Sequence, residues 1–109
     1  MKAEDYIYRN VYTSFTLGKN HCWYCGESIP IGSFRRTADH FWPKHLKGRL
    51  KVVCCYSCNN EKGGMIPTAW IEHLKYLKTK HHGFQPWQKK FDRSIIATES
   101  LWEQVKDTI

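Results

Sequence analysis

The sequence predicts a small α+β domain, in which two short strands and a helix are drawn together by a four-cysteine zinc site and flanked by helices on both sides. Three observations carry this reading. The pairs Cys22/Cys25 and Cys55/Cys58 are both Cys-x-x-Cys, 29 residues apart, and two such tight knuckles supply the four thiolates of one tetrahedral zinc shell. Between them lie two strand-like segments joined by a short basic loop. Beyond residue 66 the apolar residues recur at helical spacing. With 109 residues the chain reads as a single domain, 1–109, with a finger core at about 20–64 and a helical extension at about 66–109. A domain of this size has a modest core, so a structural metal adds needed stability.

In chain order, Ile7, Tyr8, Val11, Tyr12 and Phe15 fall at helical spacing within 3–16, and Gly18 stands where a left-handed cap would end a helix. Residues 19–33 carry the first knuckle and a turn-rich loop with Gly26, Pro30 and Gly32. Residues 33–42 read as a first strand delivering Asp39 and His40 at its end. Residues 44–49 form the basic connection, and 50–54 form the returning strand, with Cys54 as a buried strand residue. A helix opens at about Tyr56 and stops at Gly63-Gly64. Pro67 starts the next one, whose buried stripe is Trp70, Ile71, Leu74 and Leu77; its basic end at Lys78 to His82 complements the helix dipole or meets phosphate. Residues 84–93, with Pro86, Trp87, Lys89 and Lys90, read as an ordered loop. A last helix over 94–108 buries Ile95, Leu101, Trp102 and Val105.

Composition narrows the function. Seventeen Lys and Arg against ten Asp and Glu give a formal charge of +7, interleaved with sixteen aromatic side chains, which points to a polyanionic partner, nucleic acid first. The alternative is that the excess charge only maintains solubility. Five cysteines in two x-x-spaced pairs plus one fit bound metal in a reducing compartment better than a disulfide framework. No apolar run approaches the roughly 18 residues of a membrane span. The start Met1-Lys2-Ala3-Glu4-Asp5 lacks the features of a signal peptide, so a cytoplasmic location is expected.

The thiols Cys22, Cys25, Cys55 and Cys58 are the strongest chemical signal, and a closed site of this kind holds a fold together without an open position for substrate. A redox Cys-x-x-Cys is the competing reading. The order Cys-x-x-Cys, then Asp39-His40-x-x-Pro43, then Cys55-x-x-Cys58-Asn59-x-x-Lys62-Gly63 resembles the HNH endonucleases, a branch of the His-metal (ββα-metal) finger nucleases, over residues 20–64.

The resemblance implies a zinc-stapled ββα-metal finger that hydrolyses DNA phosphodiester bonds, with double-stranded DNA as the expected partner. His40 would be the general base, a role suited to an imidazole at neutral pH. Asp39 and Asn59 would hold a catalytic Mg²⁺ or Mn²⁺. Lys62 would hold a phosphate, with Arg35, Arg36, Lys44, Lys47 and Lys51 contacting the DNA backbone. Nine positions before Asn59, where the family normally carries an asparagine that braces the loop between the strands, this chain has Leu50. A non-catalytic zinc module that binds nucleic acid is therefore the alternative function. His21, His45, His73, His81 and His82 lie outside the motif and are expected in surface or core roles.

Overall fold

The computed structural model describes residues 16–17 and 19–107, with side chains from residue 19 onward. The expected N-terminal helix falls on 3–16 and so lies outside the described residues, apart from the backbone of Thr16. Three strands form one sheet in the order β1-β3-β2: β1 (Thr16–Leu17), β2 (Arg36–His40) and β3 (Lys51–Cys55). β2 and β3 are antiparallel, with Arg36 opposite Cys55 and His40 opposite Lys51, and β1 adds in parallel on the other side of β3. β2 is shorter than the expected 33–42 because Ser33 and Arg36 donate backbone bonds to Pro30 and Ser33, closing turns just before it. β3 buries Val52, Val53, Cys54 and Cys55 in succession, as a central strand covered on both faces does.

The β2–β3 connection holds a single 3₁₀ turn at Lys44–Leu46 and bends back on itself, with Gly48 N donating to Pro43 O at 3.1 Å. A Cβ at Gly48 would overlap the Trp42 carbonyl oxygen, so this bend admits only glycine. Phe41 N to Leu50 O closes the connection at 2.9 Å, and the side chains of Phe41 and Leu50 enter the core.

Helix α1 (Tyr56–Lys62) starts directly from β3: Cys55 is its N-cap, and Gly63, at φ 52°, ends it in a conformation disfavoured for other residues. Helix α2 (Pro67–Lys80) begins on its proline and buries the expected Trp70, Ile71, Leu74 and Leu77. Helix α3 (Gln85–Val105) corrects the reading of 84–93 as a loop, since it runs unbroken through that stretch. Pro86 lies in its first turn, where the missing N–H costs nothing, and no glycine or proline follows before residue 105.

The buried residues of α3 are Phe91, Ser94, Thr98, Leu101 and Val105, while Ile95 and Trp102 flank this stripe half-buried. Ser94 and Thr98 tolerate burial because their hydroxyls donate to the carbonyls of Lys90 and Ser94, one turn back. The α2–α3 turn is held by Gln88, whose amide donates to the carbonyls of Lys78 and His81, and by a Lys78–Asp92 ion pair at 2.6 Å. Trp42, in the β2–β3 connection, stacks on Trp102 of α3 with ring planes 5° apart and centroids 5.8 Å apart. No helix among the described residues is long and apolar enough to cross a membrane.

Candidate metal centre and adjoining cavity

The four cysteines of the two pairs converge: one sulfur from each of Cys22, Cys25, Cys55 and Cys58 lies within 4.8 Å of the others. Cys25 Sγ and Cys55 Sγ are 3.7 Å apart. A tetrahedron with zinc–sulfur bonds of about 2.3 Å has edges of about 3.8 Å, so the spacing fits zinc. Each pair folds as a knuckle whose fourth residue donates its amide to the first sulfur, Cys25 N to Cys22 Sγ and Cys58 N to Cys55 Sγ, both at 3.4 Å.

Three of the four cysteines are buried and Cys25 is half-buried, the enclosure of a structural site. Thiol hydrogen bonds from Cys25, then Cys55 and Cys58, push the Cys22 thiol far below its ordinary range, and bonding to Cys22, Cys25 and Cys55 holds the Cys58 proton far above it. The cluster thus carries thiolate before any metal arrives and gives up its remaining protons on loading. Cys54 points the other way, into the core, where burial raises its pKa to about 12 and leaves it an unreactive thiol.

A buried polar chain leads away from the knuckle. Tyr24, between two cluster cysteines, donates its hydroxyl to Asp39 Oδ2 at 2.7 Å, and Lys62 Nζ reaches the same oxygen at 3.0 Å. Lys62 Nζ also donates to the backbone carbonyl of His40 at 3.2 Å. Burial, followed by the Asp39 charge, drives the Tyr24 pKa well above its usual value, so it remains a donor. The ring of Tyr24 packs edge-on against Trp70 at 5.6 Å, which ties the chain to α2.

The sequence reading of Lys62 is corrected here. Its side chain has 0% exposure and spends its charge on Asp39, so it offers nothing to a phosphate arriving from solvent. The two arginines expected on a DNA surface are also engaged internally. Arg36 Nη1 donates to the carbonyls of Lys19 and Ile29, and Arg35 pairs with Glu27 at 3.0 Å, so both fasten the first knuckle loop to β2. Lys44 and Lys47 are exposed on the β2–β3 connection, as a surface role requires, and Lys51 is half-buried.

On the outer side of this chain lies an open cavity of about 590 Å³ lined by Asp39, His40, Pro43, His45, Asn59 and their neighbours. The three residues singled out from the motif, one carboxylate, one imidazole and one amide, therefore all line this cavity. β2 delivers Asp39 and His40 at its end, and α1 delivers Asn59 one residue after the last cluster cysteine. Burial first, and then the nearby charge of Lys51, lowers the His40 pKa below its ordinary value, so its imidazole is neutral at pH 7.

His45 joins the same cavity, a placement the sequence reading did not expect. The 3₁₀ turn folds it back until its ring lies against Gly64, where an added Cβ would sit 3.3 Å from the imidazole. Leu50 is 6% exposed and contributes to the core rather than to the cavity. No protein-family model, no curated protein and no solved structure matches this chain.

Proposed function

We propose that the protein is a metal-dependent endonuclease of the HNH type, built on a ββα-metal finger, that hydrolyses phosphodiester bonds in double-stranded DNA. The observation that carries this is the shared cavity: Asp39 and His40 reach it from the end of β2 and Asn59 from α1, the helix that opens on two of the four cluster cysteines. A neutral His40 is in the state required to take a proton from an attacking water at pH 7. The oxygen of that water then bonds to phosphorus as the bond from phosphorus to the 3′ oxygen breaks. Zinc fits the four sulfurs and serves the fold.

For the catalytic cation, the donor set is a carboxylate and an amide oxygen beside an open, wet cavity. That chemistry fits Mg²⁺ or Mn²⁺, which keep several waters and use few protein ligands. Asp39 and Asn59 would hold it, and when bound it would stabilise negative charge on the phosphate and the departing oxygen. Because the Lys62 ammonium already balances Asp39, the free protein should hold this ion weakly, with substrate phosphate completing the site. Exposed Lys44 and Lys47 beside the cavity supply electrostatic attraction that weakens with salt.

Incubation of zinc-loaded protein with supercoiled plasmid tests the reading. Nicking that requires Mg²⁺ or Mn²⁺ and drops by at least about 10²-fold in His40→Ala is expected, in line with general-base contributions. The second reading is a zinc module that binds nucleic acid without cutting it, favoured by the apolar Leu50 and the internally neutralised Asp39. Plasmid binding with no cleavage under any divalent ion would establish that reading instead.

A further inference from the structure

A cavity of about 820 Å³ lies away from the His40 cavity, in the seam between the first cysteine knuckle and α3. Lys19, His21 and Trp23 form one wall, and Lys89, Arg93 and Ile96 form the other. Its α3 side is a single helix face, because residues 89, 92, 93, 96, 97 and 100 follow the i, i+3, i+4, i+7 pattern and run about 16 Å along the axis. Lys19, His21, Lys89 and Arg93 are all exposed, and among the described residues no acidic partner is found for Lys19, Lys89 or Arg93. The one acid in the seam, Asp92, is already held by Lys78 at 2.6 Å.

The seam has a defined shape. A Cβ on Gly26 would strike the Arg93 side chain, so glycine at this position, at φ 81°, leaves the room in which that side chain lies against the knuckle. Arg36 fixes the opposite wall by donating to the carbonyl of Lys19. Between the cations are apolar surfaces, with Trp23 half-buried and Ile96 66% exposed. Cations that have no acidic partner among the described residues, on both walls of an open trough and beside an aromatic and an aliphatic side chain, are the complement of a sugar–phosphate chain, whose phosphates meet the cations while sugars or bases meet the apolar surfaces.

We propose that this seam is a second nucleic-acid contact surface, which grips one strand of the ligand away from the His40 cavity. The inference rests on the nucleic-acid half of the proposed function and is independent of cleavage. Its length covers about five nucleotide rises at 3.4 Å each, so it adds anchorage and orientation without reading bases.

The test measures binding of fluorescein-labelled single-stranded and duplex DNA by anisotropy, in magnesium-free buffer and in the His40→Ala background, so that cutting does not enter. Lys89→Glu/Arg93→Glu should weaken binding by about tenfold or more at low salt and lower the salt slope by about 1.4 to 1.8, the share of two phosphate contacts. Lys19→Glu, on the opposite wall, should act in the same direction. Lys75→Glu/Lys106→Glu changes the net charge as much as the first pair at exposed positions outside the seam lining, and should cost much less. Equal losses in the two double variants would reduce the effect to net charge and overturn the proposal, as would no loss in either. A wild-type dimer that Lys89→Glu/Arg93→Glu turns into a monomer in sedimentation would also overturn it, by making the seam a protein interface. All five substituted seam and control sites are exposed, and zinc content with a cooperative melt confirms that each variant is folded.

Discussion

Replacing Lys62 with methionine removes a charge and little volume from a position that appears, by residue type, to belong on the surface. In the structure its side chain is 0% exposed and its ion-pair partner Asp39 is 5% exposed, with 3.0 Å between them. Removing one partner of a buried pair leaves the other charge uncompensated, which costs about 3–5 kcal/mol. Among the described residues the Asp39 side chain would keep the Tyr24 hydroxyl at 2.7 Å, and the carbonyl of His40 would lose the Lys62 donor at 3.2 Å. A domain of this size stands about 5–15 kcal/mol above its unfolded state, so the variant should melt roughly 12–40 °C lower.

Asp39→Asn/Lys62→Met restores neutrality and should recover a good part of the loss, giving a coupling energy of at least about 1 kcal/mol in a double-mutant cycle. As a reference, Lys75 pairs with Glu72 at the surface, with exposures of 54% and 75%, and Lys75→Met should change stability by less than about 0.5 kcal/mol. Thermal unfolding of the zinc-loaded proteins followed by circular dichroism measures the parent, Lys62→Met, Asp39→Asn, the double variant and Lys75→Met. If Lys62→Met melts within a few degrees of the parent, or if the two substitutions are additive, the buried pair does not organise this site.

Three further outcomes follow from the geometry. Cys58→Ser should lose zinc, which otherwise binds near one per chain by metal analysis, and loading the parent protein at pH 7 should release protons to an indicator dye because the Cys58 thiol is held protonated in the free cluster. In zinc-loaded, magnesium-free protein the His40 ring should titrate below its ordinary 6.5 by NMR, and Lys51→Met should move the midpoint up. The sign is that of a depressed base: as pH falls below about 6.5 the unfolded chain takes up the proton first, so this residue subtracts stability on acidification, and a midpoint at or above 6.5 would contradict the placement. Gly48→Ala forces a methyl group into the Trp42 carbonyl and should cost about 2–3 kcal/mol in denaturant unfolding while disturbing nicking; a variant within 0.5 kcal/mol of the parent would show that the bend can open.

What could be read in advance was what local spacing dictates. Two residues between cysteines specify a knuckle, and a run such as Lys51 to Cys55 that opens directly into a capped helix specifies the strand–helix join, so the convergence of the four thiols was legible, and Asp39, His40 and Asn59 line one cavity beside that join. The failures all involve residues whose environment comes from elsewhere in the chain. Lys62 reads as a phosphate ligand until its burial against Asp39 is known. Ser94 and Thr98 break the apolar periodicity of α3, yet both are buried because each hydroxyl is satisfied within its own helix. The early part of that helix was masked by Pro86, a breaker in general and a starter here. His45 reaches the cavity because a 3₁₀ turn reverses the connection, a geometry closed by Gly48, which lies outside the motif, onto the carbonyl of Pro43.

The parallel rings of Trp42 and Trp102 tie the strand connection to the far end of the longest helix. A helix turns by 100° per residue, so inserting or deleting a single residue in α3 upstream of Trp102 would swing that indole a quarter-turn or more off its partner. The rim that carries His45 would lose its backing although no residue near it had changed. The last third of the chain is therefore phase-locked to the cavity, and variation in its length is tolerable only beyond Trp102 or in whole-turn steps.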